Sequence, residues 1–232
     1  MDFSDGFKKI ENSVVNILAI DAGNNVISSG TGVLINDGTM AITCAHCIVP
    51  NTNICARFSG QNSGSIGNLD FIDRTLDIAI IKFQNSLGRG VTLKNSSTVF
   101  IGQEAFVVGF PMNISYITAL SANIAGFEYT DSFNYIRIDS SINHGNSGGP
   151  LFNKDGELIG IISMKHGSLS EFLEFVEKYE SGCYISLGGL DPVQAIKQLI
   201  REMRRNLNLG IGYAIPVDAI HNKYSNLTNI VP

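Results

Sequence analysis

The stretch His144-Gly145-Asn146-Ser147-Gly148-Gly149-Pro150-Leu151 decides how this 232-residue chain is read. One hydroxyl stands among glycines, and glycine-rich turns expose backbone N–H groups to whatever approaches them. A serine nucleophile needs an unobstructed oxygen and two N–H donors aimed at the oxyanion that develops on a carbonyl under attack. The loop Gly145-Asn146-Ser147 is the candidate oxyanion hole, with the N–H groups of Gly145 and Ser147 as its donors. Taken alone, the same eight residues also fit an ordinary glycine-rich hairpin with an exposed serine.

Working outward, Thr43-Cys44-Ala45-His46-Cys47 closes an apolar strand with a histidine, and Leu76-Asp77-Ile78-Ala79-Ile80-Ile81-Lys82 opens another with an aspartate. Strand ends are where loops and clefts form. Singly, His46 fits a satisfied core histidine and Asp77 a strand cap. With Ser147 they make the set that acyl transfer requires: a nucleophile, a base of near-neutral pKa and a carboxylate to fix its tautomer. The spacing of Cys44 and Cys47 also matches half a zinc site or a redox motif. A zinc ribbon needs a second such pair, and a thioredoxin-like motif needs a βαβ context; neither is apparent, so no metal or cofactor is expected.

The rest of the chain reads as short strands between turns. Apolar or β-branched runs recur at Val14–Ile20, Thr31–Ile35, Met40–Thr43, Ile54–Phe58, Ile78–Phe83, Ala105–Val108, Tyr135–Ile138, Leu158–Ser163 and Tyr213–Ile215. Gly23-Asn24-Asn25, Asn36-Asp37-Gly38 and Lys154-Asp155-Gly156 are hairpin signals. This pattern predicts an all-β antiparallel sandwich or barrel. Phe3, Phe7 and Ile10 suit one face of a short leading helix. Two further helices are signalled late: one from Ser168 with Phe172, Phe175, Val176 and Tyr179, and one capped by Asp191 and Pro192 with Ile196, Leu199, Ile200 and Met203. The polar segment 84–98 divides the chain into two β-rich halves, 1–95 carrying His46 and Asp77, and 96–232 carrying Ser147 with a helical insertion at about 167–208.

Composition narrows the function classes. A net charge of -5 offers no basic field for nucleic acid. The longest apolar runs are strand length and interrupted, so no membrane span is expected. Four cysteines are few for a secreted domain of this size, and the acidic opening Met1-Asp2-Phe3-Ser4-Asp5 lacks an export-type apolar block. Free thiols and a cytoplasmic location are the expectation.

The ordered blocks resemble the chymotrypsin-fold serine peptidases, and among them the HtrA (Deg) family. The resembling segments are Thr31-Gly32-Val33-Leu34-Ile35 with Thr43 to His46, Asp77 to Lys82, Gly109-Phe110-Pro111, Ile142 to Leu151, Gly156 to Ile161, and Gly212 to Val217. The resemblance implies two six-stranded antiparallel β-barrels with the active site in the cleft between them, and a serine endopeptidase acting on proteins or peptides without a cofactor. It implies Ser147 as nucleophile, His46 as general base and Asp77 as its orienting carboxylate. The alternative is a pseudoprotease that uses the same cleft to bind peptides without turnover. By the same resemblance a specificity pocket is walled by Ser141 and Ile142, by Ser163, Met164 and Lys165, and by Ile211, Gly212 and Tyr213. With no acid at its base and Ile211 filling volume, it suits aliphatic residues. Asn146 stands where trypsin-type zymogens carry an aspartate that pairs with a new N-terminus, so activation by trimming is not expected. The PDZ domain that family members commonly carry has no counterpart in the chain, and Cys47 has no cysteine partner at Ser29-Gly30-Thr31. The helical insertion, where the family has a shorter loop, is expected to govern access, self-association or a regulatory partner.

Overall fold

The computed structural model describes residues 2–111, 114–163, 194–199, 210–228 and 230–231. The chain separates into two compact units, Met1–Met164 with Gly210–Pro232, and Lys165–Leu209.

In the first unit the hairpin signals become tight turns. Asn24 and Asn36 take left-handed φ values of 64° and 56°, and Gly38 takes 82°, so each reversal sits on a residue that tolerates that conformation. The strands β1 (Val14–Ile20), β2 (Val26–Ile35), β3 (Met40–Thr43), β4 (Asn53–Arg57), β5 (Ser65–Asp73) and β6 (Ile78–Phe83) close into an antiparallel barrel in the order β1-β2-β3-β6-β5-β4. After the two-residue strand β7 (Leu93–Lys94) come β8 (Glu104–Gly109), β9 (Thr118–Tyr129), β10 (Asn134–Ile138), β11 (Pro150–Asn153), β12 (Leu158–Ile162) and β13 (Gly212–Pro216). These six run β11-β8-β9-β10-β13-β12, and pairing of β11 with β12 closes a second antiparallel barrel. Strand β14 (Ile230–Val231) joins β7 beside β12 through parallel pairs.

Both faces of the apolar strands are buried, which is why they read as unbroken runs. Along β6, Ile78 and Ile80 pack with Phe106, Val108 and Phe152 between the barrels, while Ala79, Ile81 and Phe83 point inward with Val15, Ile17 and Leu34. The second barrel divides in the same way: Phe106 and Val108 face the shared layer, and Ala105 and Val107 face its own interior. Each large aliphatic side chain so buried contributes about 1.5–3 kcal/mol. The leading helix Ser4–Ile10 covers one edge of the shared layer, with the Phe3 ring stacked 4.7 Å from that of Phe106. A C-terminal helix, Val217–Lys223, buries Val217, Ala219 and Ile220; it carries no motif that the sequence reading recognised.

In the second unit residues 194–199 are helical, with Ile196 and Leu199 exposed. The helix expected from Ser168 to Tyr179 lies outside the described residues, as do Asp191, Pro192, Ile200 and Met203.

Candidate active site

Strand pairing brings two of the three candidate residues together. Thr43 at the end of β3 is paired with Ala79 near the start of β6, so the segment leaving β3 and the residue entering β6 are neighbours. His46 lies in the 3-10 turn Ala45–Cys47, and Asp77 precedes β6 with a left-handed φ of 60°. A left-handed aspartate is uncommon and carries some strain. Here it turns the carboxylate toward the histidine: His46 Nδ1 lies 2.8 Å from Asp77 Oδ2 and 3.0 Å from Oδ1, and the His46 main-chain N–H donates to Oδ1 at 3.0 Å. Ser163 Oγ donates to Oδ2 at 2.8 Å. A carboxylate only accepts, so in the neutral ring the proton sits on Nδ1 and Nε2 keeps its lone pair.

The electrostatics follow from these bonds. The hydrogen bond to Asp77 raises the pKa of His46, with Cys47 adding to the rise and burial opposing it. Burial works to raise the pKa of Asp77, but the bonds from His46 and Ser163 outweigh it and hold the carboxyl below its ordinary value. Burial also pushes the thiol of Cys44, directly before this turn, well up, and Cys47 and Asp77 push it further, so it rests as a neutral thiol donating to Ile162 O at 3.2 Å.

Ser147 comes from the second barrel, in the loop before β11, and is anchored to the first. Its carbonyl accepts the Thr31 N–H at 2.8 Å and lies 3.8 Å from the Sγ of Cys47, the neighbour of His46 in the chain. Gly148 has a φ of 80°, and a Cβ there would stand 2.2 Å from Thr31 O and 2.3 Å from Thr43 Oγ1, so only glycine lets the loop lie this close. Among the described residues Ser147 Oγ makes no hydrogen bond, and the N–H groups of Gly145 and Ser147 have no acceptor. The Gly145 carbonyl is drawn away by Thr31 Oγ1 at 2.6 Å. Two free donors therefore flank the serine, the arrangement that a developing oxyanion needs.

Asn146 lies in the candidate oxyanion loop between the two donors, and its own N–H is engaged within the loop. Its N–H is taken by Asn143 O at 3.0 Å and its carbonyl accepts from Gly149 at 2.9 Å. The residue is buried, and its Nδ2 has no partner.

The pocket residues divide. Ser163 N–H pairs with Tyr213 O at 3.0 Å, but its side chain serves Asp77. Ser141 is exposed and Ile142 buried. A Cβ on Gly212 would fall 2.4 Å from Ile142 Cγ1, so the apolar volume beside Gly212 belongs to Ile142. Ile211, expected to fill that volume, is instead 52% exposed. Met164 and Lys165 lie outside the described residues. Thr31, fully buried and bonded to Ser147, Gly145, Phe110 and Thr43, was missed as a site residue; nothing in a lone strand threonine signals such a role.

Comparison with known proteins agrees with this fold. The model of the trypsin-like peptidase domain matches residues 30–161. The mitochondrial serine protease HTRA2 of Drosophila virilis is 32% identical over 148 residues, covering 60% of this chain and 35% of that protein. The Drosophila grimshawi protein of the same name is also 32% identical, with 34% of its length covered. The chain thus spans about a third of the length of these curated relatives. Among solved structures, the HtrA-type protease AlgW with tripeptide superimposes with a TM-score of 0.70 at 20% identity over 97% of this chain and 63% of that one. The serine endoprotease from Yersinia pestis gives 0.65 at 24% identity over 97% and 65%. These likenesses carry the two-barrel fold.

Proposed function

This chain belongs to the trypsin-like peptidase family, and from that premise we propose that it is a serine endopeptidase hydrolysing peptide bonds of proteins or peptides through an acyl-enzyme intermediate. The observation that carries the reading is the hydrogen-bonded pair His46–Asp77 beside a serine loop whose Gly145 and Ser147 N–H groups are free among the described residues. In this mechanism Ser147 Oγ attacks the carbonyl carbon as its proton passes to His46 Nε2. The oxyanion takes hydrogen bonds from Gly145 and Ser147. Asp77 accepts from Nδ1 throughout and stabilises the imidazolium, which then protonates the leaving amine. Water repeats the sequence on the acyl-enzyme. The bond between Ser147 and His46, absent at rest, forms when substrate closes the site, as is common for catalytic hydrogen bonds in free enzymes.

Cleavage after aliphatic residues is the finer proposal. Ile142 against Gly212 makes an apolar wall, and a buried Lys or Arg needs a countercharge that neither Ser141 nor Ile142 supplies. A substrate library should show Val, Ile, Leu and Ala before the scissile bond; dominance of Arg or Lys would overturn this pocket. The free thiols Cys44, Cys47 and Cys55 support work in a reducing compartment. Regulation by a partner or by self-association through segment 167–208 is proposed on its helical signals, and exchanging it for a Gly/Ser turn should change turnover of protein substrates.

The deciding experiment is fluorophosphonate labelling together with hydrolysis of casein. Wild type should label on Ser147, and Ser147→Ala should lose turnover by on the order of 10⁶-fold while staying folded. Binding of peptides without labelling or turnover would favour the pseudoprotease reading. Wild-type hydrolysis by Ser147→Ala would remove the assignment.

A further inference from the structure

The peptidase mechanism leaves one group beside the triad without a task. Cys44 Sγ, a ring nitrogen of His46 and an Asp77 carboxylate oxygen all lie within 4.8 Å of one another, and Nδ1 is the nitrogen that faces the carboxylate, at 2.8 Å. We propose that these three side chains form a binding site for a thiophilic divalent cation such as Zn2+, and that its occupancy holds the peptidase inactive.

The donor set is the first argument. Thiolate sulfur, imidazole nitrogen and carboxylate oxygen are the ligand types that zinc prefers, and three protein ligands plus water complete a tetrahedral shell. Bond lengths of about 2.0–2.3 Å put tetrahedral donors roughly 3.5 Å apart. The His46–Asp77 edge, at 2.8 Å, opens slightly, and the edges to Cys44, at most 4.8 Å, close by up to about 1.3 Å. Position is the second argument. Cys44 and His46 are held two residues apart by the Ala45–Cys47 turn, with Asp77 fixed to that turn by the Ala45 N–H to Asp77 O bond. Access is the third. The His46 side chain is 49% exposed and that of Asp77 23%, so an ion enters past the imidazole, while Cys44 at 0% forms the floor.

The proton balance explains inhibition. In the neutral base the imidazole carries its proton on Nδ1, which the metal must take over. The ring then holds its one proton on Nε2, and the Cys44 thiol releases its proton to solvent as the sulfur binds. One proton leaves for each ion bound to the neutral-histidine form, a second where the imidazole is protonated, and no electron is transferred. An imidazole protonated on Nε2 cannot accept the proton of Ser147, so acylation stops. Alanine at position 44 would leave only a histidine and an aspartate that already satisfy each other by hydrogen bonding. Inhibition rests on the triad reading of the preceding section; binding does not.

Co2+ serves as the probe, because thiolate ligation gives a near-ultraviolet charge-transfer band independent of activity. The whole chain carrying Ser147→Ala should take up one equivalent with this band, and Zn2+ should displace it. Adding Cys44→Ala, or the size-conserving Cys44→Ser, should abolish the band, whereas adding Cys47→Ala should keep it. A band absent before Cys44 is changed, retained without Cys44, or lost only with Cys47 overturns the site; the first outcome needs no cysteine variant to fold. In the otherwise wild-type chain Zn2+ should suppress both turnover and fluorophosphonate labelling, and EDTA should restore them. With Cys44→Ala the half-inhibiting concentration should rise at least the tenfold or so that losing even an outer-shell partner costs. The band without any measurable hydrolysis would leave the metal site standing and remove the peptidase reading. Zn2+ inhibition equal with and without Cys44 would overturn the inhibitory role.

Discussion

The Thr31 hydroxyl donates a 2.6 Å hydrogen bond to the main-chain carbonyl of Gly145, across the layer between the two barrels. The same oxygen accepts the Phe110 N–H at 3.1 Å, and the Thr31 N–H holds the Ser147 carbonyl at 2.8 Å. One buried residue of the first barrel thus grips both ends of the candidate oxyanion loop. With the Gly145 and Ser147 carbonyls held outward, the N–H groups of the loop remain available to substrate.

Thr31→Val keeps the shape and removes the hydroxyl. It should lower kcat by about 10- to 100-fold with KM little changed, because a misaligned oxyanion donor is felt chiefly in the transition state. Gly145 O and Phe110 N are left unpaired in the interior, so the variant should also lose about 1–3 kcal/mol of stability. Thr31→Ser should restore most of kcat. A variant less stable but with normal kcat would reduce Thr31 to a purely structural residue.

The bonding of His46 predicts the pH profile. Its pKa is raised above the ordinary 6.5, first by the hydrogen bond to Asp77. The neutral base appears only above that raised value, so the acid limb of kcat/KM should have its midpoint above 6.5. Asp77→Asn should move the midpoint down and lower the plateau by on the order of 10⁴-fold, through loss of the correct tautomer. Stability has the opposite sign. The contribution of His46 is full below its unfolded pKa and declines as pH rises through the folded value. A midpoint at or below 6.5 in the wild type would contradict the pairing.

Most of the barrel strands were legible because their apolar runs are buried on both faces: β3 and β6 begin and end where the sequence alone places them. Strand β5 was not, since most of its residues are exposed and it lacks an apolar face to read. Strand β9 was hidden differently. Its inward positions include Ala122 and Gly126, small residues with weak strand signals. At the site, His46, Asp77 and Ser147 were visible as residue types at loop and strand ends. The second use of Ser163 and the grip of Thr31 depend on partners 86 and 114 residues distant, and local patterns carry no such information.

The last prediction concerns Gly30 and Cys47. A Cβ built on Gly30 would stand 3.3 Å from Cys47 Cβ and 2.5 Å from its Sγ, with Ser147 O at 3.2 Å. Disulfides need Cβ atoms about 3.5–4.5 Å apart, so Gly30→Cys requires only a few tenths of an ångström of relief to bridge to Cys47. Reduced, the added sulfur must share space with Cys47 Sγ and press on the carbonyl of Ser147, so stability and turnover should both fall. Oxidised, the two sulfurs occupy one bonded volume, and closing the chain between positions 30 and 47 should return up to about 3 kcal/mol. Denatured without reductant, the oxidised variant should titrate one thiol fewer than the four of the wild type, and its Tm should fall when reductant is added. A variant that keeps all its thiols under oxidant, or whose Tm ignores reductant, would mean that β2 and the His46 turn are not packed as closely as these distances state.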